Sequence, residues 1–80
     1  MNQIEKFLKK LEKKLALQLA EVLQNIIVLN IKQYDVKKMK GFQDFYRIRV
    51  GKIRIIFSKS GQKHGLPIYI EYRGKVYKKL

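Results

Sequence analysis

Arg47, Arg49 and Arg54 are the residues of this chain best suited to chemistry. A guanidinium presents its donors in a rigid fork and grips a phosphate through paired hydrogen bonds. The three alternate with apolar residues in Tyr46-Arg47-Ile48-Arg49-Val50 and Ile53-Arg54-Ile55, on either side of Gly51-Lys52. Such alternation reads as β-strand, and Gly-X is a good two-residue type II′ turn. Closing a hairpin there sets the register: Val50 faces Ile53, Arg49 faces Arg54, Ile48 faces Ile55, Arg47 faces Ile56 and Tyr46 faces Phe57. One face then carries Tyr46, Ile48, Val50, Ile53, Ile55 and Phe57, and the other carries the arginines. Like charges directly opposed on a sheet are destabilising. Neither strand of the hairpin supplies a counter-charge, so the pattern predicts an anion site on the face away from the core.

The rest of the composition agrees with an anionic partner. Nineteen Lys and Arg against six Asp and Glu give the 80 residues a formal charge of +13. Nucleic acid is the first candidate for that charge, an acidic membrane surface the second, and an acidic protein a further partner. The absence of cysteine excludes disulfides and thiolate chemistry and suits a cytoplasmic location. One histidine and scattered acids predict no metal site, and no cofactor is expected. No run of about 18 apolar residues could span a membrane, and charges interrupt the N-terminal apolar runs, unlike a signal peptide. Residues 1–80 are read as a single domain, short enough to bury only about 60–65% of its unfolded surface.

The elements that must position the arginines follow from periodicity. Asn2 can cap a helix, with Glu5 in the place of a capping-box acid. Ile4, Phe7, Leu8, Leu11 and Leu15 recur at helical spacing, and Leu19, Val22, Leu23, Ile26 and Ile27 continue the series. Lys6, Lys9, Lys10, Lys13 and Lys14 fill a solvated face. A single rod of about 40 Å would overhang so small a sheet, so a helical hairpin with a bend near Glu12–Leu15 is expected. The second helix should stop near Leu29–Ile31, at Asn30. Tyr34 to Gly41 reads as a lysine-rich connection, and Ser58 to Gly65 as a polar loop containing His64, a bystander. Pro67 should open a third strand, where it has no ladder bond to lose. On it Ile68, Ile70 and Tyr72 point one way, and Tyr69, Glu71 and Arg73 the other; Val76 and Tyr77 could add a short fourth strand. The fold class is α+β, with two N-terminal helices packed on an antiparallel sheet of three to four strands. Ile48, Val50, Ile55, Ile68 and Ile70 are expected to be buried.

Two amphipathic helices, then Lys37-Lys38-Met39-Lys40-Gly41, then the stretch 46–57, then Arg73-Gly74-Lys75-Val76-Tyr77, resemble the RelE/ParE superfamily of toxins from type II toxin–antitoxin modules. The resemblance covers nearly the whole chain. It implies the activity of the RelE branch, a ribosome-dependent endoribonuclease that cleaves mRNA in the A site and is held inactive by an antitoxin. It also implies that Arg47, Arg49, Arg54 and Arg73 bind and polarise the RNA phosphate, and that Tyr77 contributes to catalysis. The ParE branch instead inhibits DNA gyrase. Two departures stand out. Family members usually begin with a strand, so an edge strand is expected to be missing here. The first two basic positions can be lysine in the family, and lysine is the better proton carrier.

RNA carries its own nucleophile, the 2′-OH, so cleavage needs alignment, charge stabilisation and proton transfer, and no metal. Arg54 and Arg73 would stabilise the phosphorane, while Arg47 and Arg49, helped by Lys38, Lys40 and Lys52, would hold the backbone. Arginine stays protonated, so none of the four is a good general base. Tyr77 is the remaining proton-transfer candidate; a free phenol titrates near ~10, and neighbouring arginines favour the phenolate. Blander readings stand beside these. The arginine face could bind RNA without cutting it, Arg73 could pair with Glu71 or Asp44, and Tyr77 could only pack. A ParE-like gyrase inhibitor or a catalytically inactive RNA-binding relative is the alternative function.

Overall fold

The computed structural model describes residues 3–39, 41, 44–61 and 63–72. Two helices, α1 (Gln3–Lys9) and α2 (Lys13–Ile27), precede four strands, β1 (Asp35–Lys38), β2 (Phe45–Val50), β3 (Ile53–Ser60) and β4 (His64–Tyr72). The strands form one antiparallel sheet in the order β1-β2-β3-β4. The expected α+β architecture holds, with some of its boundaries moved.

The central hairpin has the register that its alternation dictates, from Tyr46 opposite Phe57 to Val50 opposite Ile53. Gly51 has φ 58°, as the first turn residue of a type II′ turn requires. Ile48, Ile53, Ile55, Phe57 and Ile70 are buried from the sheet side, and Ile4, Leu19, Val22 and Ile26 from the helices. Removing such side chains from water is the main driving force of folding. Tyr46 stacks on Phe57 at 5.7 Å between ring centroids, and the Lys59 ammonium sits 4.3 Å above the Tyr46 ring. The helix lysines Lys6, Lys9, Lys10, Lys13 and Lys14 are exposed, as expected of a solvated face.

The helices do form a hairpin, but the break lies at residues 10–12, slightly before the expected bend. α2 ends at Ile27 in a Schellman arrangement: Asn30 N–H donates to Asn25 O at 2.8 Å and Leu29 N–H to Ile26 O at 3.0 Å. Leu29, rather than the expected Asn30, takes the left-handed conformation, with φ 57°. The expected cap at Asn2 lies outside the described residues.

Three strand assignments are corrected. The segment read as a connection contains β1, which pairs Asp35 with Arg49, Val36 with Ile48 and Lys37 with Arg47. Only Val36 of that strand turns to the core, so its charge hid it. The segment read as a loop is the end of one hairpin strand and the start of the next, with Ser60 opposite His64; His64 is exposed. Pro67 lies inside β4, where an irregularity in the pairing falls between Ile56 and Phe57. β4 is an edge strand among the described residues, and proline within a sheet is confined to edge strands and bulges. The extra residue is Ile68, which is left 40% exposed instead of buried. Val50 is half-buried and Tyr72 is partly exposed, with Tyr72 packed on Phe7 at 5.1 Å. Val76 and Tyr77 lie outside the described residues. α1 ties itself to the edge of β4 through Gln3, whose Nε2 donates to Ile70 O at 2.6 Å while Ile70 N–H donates to Gln3 Oε1 at 3.0 Å.

Candidate functional site

Both helices pack on one face of the sheet, and the arginines occupy the other. Reading across the four strands gives two rows of side chains on that free face. The first is Asp35, Arg49, Arg54 and Glu71; the second is Lys37, Arg47, Ile56 and Tyr69. Neighbouring strands lie about 4.8 Å apart, so each four-residue row runs roughly 14 Å across the sheet.

The first row is balanced. Arg49 Nε lies 3.1 Å from Asp35 Oδ2, and Arg54 Nη2 lies 2.9 Å from Glu71 Oε2. The hairpin alone contains no counter-charge, but its two flanking strands supply one for each opposed arginine. The repulsion read from the hairpin register is therefore offset from both flanking strands. The Arg54–Glu71 pair is the more enclosed, with both side chains 24% exposed. Nε of Arg54 is buried and finds no partner among the described residues. A buried donor without an acceptor is costly.

The second row is unbalanced. Arg47 has neither an ion pair nor a side-chain hydrogen bond among the described residues. It joins Lys37, Lys38, Met39, Arg54, Ile56 and Glu71 around an open groove of about 530 Å³. Four cations and one carboxylate meet there. β1 brings Lys37 and Lys38, β2 brings Arg47, β3 brings Arg54 and Ile56, and β4 brings Glu71. Such a groove suits a phosphodiester, and Ile56 and Met39 give it an apolar floor.

Of the residues singled out from the sequence, the groove gathers Arg47, Arg54 and Lys38. Arg49 shares their face but is turned to Asp35, and Lys52 lies exposed at the hairpin tip. Lys40, Arg73 and Tyr77 lie outside the described residues. Sequence reasoning did not single out Lys37 or Glu71 as site residues. Lys37 would have followed from recognising β1, whose pairing sets it opposite Arg47. Glu71 has the right parity on its strand, but only the β3–β4 register sets it opposite Arg54.

No family model matches the chain. A toxin of Methanocaldococcus jannaschii, RelE3, is 46% identical over 41 residues, and that stretch spans 51% of this chain but only 47% of the relative. A crystal structure of a RelB–RelE antitoxin–toxin complex from Methanococcus jannaschii contains a similar chain. It has a TM-score of 0.65 and 31% identity, with 94% of this chain and 89% of that one covered. A shared fold over nearly all of both chains, held at that identity, makes this chain a member of the RelE family of toxins from toxin–antitoxin systems.

Proposed function

We propose that this toxin is a ribosome-dependent endoribonuclease, cutting mRNA in the A site through attack by the RNA's own 2′-OH. The observation that carries the reading is the cationic groove on the sheet face opposite α1 and α2, where Arg47 and Arg54 meet Lys37 and Lys38. Arg54 stabilises the charge that develops on the phosphorane. Arg47 and Lys38 hold the backbone, with Arg49, Lys40 and Lys52 extending the contact along the face. Arg73 and Tyr77 keep the roles that the family resemblance assigns: a second phosphate donor and a proton-transfer group. Alignment by the ribosome supplies what a weakly basic site lacks, and alignment alone can lower a barrier by several kcal/mol. An acidic antitoxin holds the toxin inactive in the cytoplasm. The charge of +13 supports such a partner, and the similar solved chain is itself complexed with RelB.

A second reading is favoured by the ion pairs. Two of the three hairpin arginines are engaged by Asp35 and Glu71, which suits a protein that inhibits by binding, on RNA or on gyrase, without cutting. Primer extension on programmed ribosomes separates the two. Cuts at A-site codons, with naked RNA left intact, are the expected result. Gyrase inhibition without RNA cleavage would move the assignment to the second reading.

A further inference from the structure

The groove contains one group that the proposed chemistry has not used. Glu71 lines it beside Arg47, Arg54, Lys37 and Lys38. A carboxylate weakens an anion site, so its presence among four cations calls for a role. The arginines cannot supply one need of the reaction, since a guanidinium does not accept a proton at ordinary pH. A carboxylate does. We propose that Glu71 is the general base that takes the proton from the attacking 2′-OH. The inference rests on the ribonuclease reading above.

The geometry supports the role in three ways. Glu71 Oε2 is 2.9 Å from Arg54 Nη2, so the base and the phosphate-binding guanidinium are held side by side. That spacing matches the adjacency of a 2′ oxygen and the phosphorus it attacks. Both side chains are 24% exposed, enclosed enough to be held and open enough to meet substrate. The ion pair uses Nη2, which leaves the other terminal nitrogen of Arg54, Nη1, for phosphate while Nη2 stays on Glu71. The charged groups facing Glu71 are Arg54 on β3, Arg47 on β2, and Lys37 and Lys38 on β1; beyond Arg54 in its own row stand Arg49 and Asp35. In the step itself the O2′–H bond breaks and its proton passes to the Glu71 carboxylate. The O2′–P bond forms as the P–O5′ bond breaks, and the departing O5′ takes a proton from solvent. The products are a 2′,3′-cyclic phosphate and a 5′-hydroxyl, and Glu71 then returns its proton to water.

The test is single-turnover cleavage on programmed ribosomes with the full chain, beside ribosome binding and thermal melts. Glu71→Gln keeps the shape and removes the base. It should bind ribosomes as tightly as wild type, or more tightly because a negative charge has gone. It should also cleave at least a hundredfold more slowly, the usual scale of a lost general base. Glu71→Ala should recover part of its rate when formate is added, which a merely structural carboxylate would not show. Glu71→Gln cleavage within a fewfold of wild type would overturn the proposal, as would a rate loss matched by an equal loss of binding, or no formate rescue. If wild-type protein itself cuts nothing on ribosomes, the ribonuclease reading fails and takes this role with it. If wild type cuts and Glu71→Gln cuts equally, only the role of Glu71 fails.

Discussion

Replacing Arg54 by alanine should cost stability, although the hairpin register sets Arg54 against Arg49. Two effects oppose each other. Removing one of two opposed cations relieves a few tenths of a kcal/mol, roughly the scale of cross-strand pairs. Against this, the ion pair with Glu71 is lost, at 2.9 Å with both side chains 24% exposed. Exposed pairs contribute about 0.2–1 kcal/mol, and breaking a fully buried one costs about 3–5 kcal/mol. A pair three-quarters enclosed falls between, at about 1–2 kcal/mol, and Glu71 is left without Arg54. The net loss is about 1 kcal/mol, which in a chain this short lowers the melting temperature by roughly 4–8 °C. Arg47→Ala is the control, because Arg47 has no ion pair among the described residues; its melting temperature should stay within about 2 °C of wild type, the scale of a neutral surface change. The double variant Arg54→Ala/Glu71→Ala should be less destabilised than the sum of its parts. Circular dichroism melts of wild type, the three single variants (Glu71→Ala among them) and the double variant decide the matter. An Arg54→Ala variant that melts at or above wild type would show that repulsion outweighs the pair and refute the reasoning.

Gly65→Ala should destabilise by about 1–3 kcal/mol, the range of overpacking. The new Cβ would fall on the Ile26 carbonyl oxygen and within 3.1 Å of Ile26 Cγ2, both in the last turn of α2. A lower urea midpoint at unchanged slope checks it. Gln3→Ala should cost about 1–2 kcal/mol, because it removes both hydrogen bonds that tie α1 to Ile70. Hydrogen exchange at the Ile70 amide should quicken; unchanged protection would mean that the edge is held by something else.

The central hairpin is legible from the sequence because two independent signals agree: alternation fixes the faces and Gly51-Lys52 fixes the register. β1 is not legible, because an edge strand needs a single core residue, and Val36 among Asp35, Lys37 and Lys38 shows no period. The bulge is equally hidden. Ile68 has the composition and parity of a core residue, and only the irregular pairing after Ile56 turns it outward. Leu29 takes a left-handed conformation that local preference gives to Asn30, because α2 stops one residue earlier than its polar signal. The site divides the same way. Arg47 and Arg54 follow from the hairpin alone, whereas the ion pairs to Asp35 and Glu71 depend on strands whose register no local pattern specifies. A charge that looks unopposed within one hairpin is therefore a statement about that hairpin, not about the sheet.

The central claim is that the cationic groove on the sheet face opposite the helices holds the RNA backbone at the cut. Arg47→Ala tests it most directly, since this arginine lines the groove and has no ion pair among the described residues to confuse stability with function. The measurement is the single-turnover rate of mRNA cleavage on programmed ribosomes at saturating toxin, beside wild type. The expected result is a fall of about a hundredfold, equivalent to roughly 3 kcal/mol, because a backbone held out of place loses its alignment for attack, at an unchanged melting temperature. Wild-type cleavage that Arg47→Ala reproduces at full rate would contradict it.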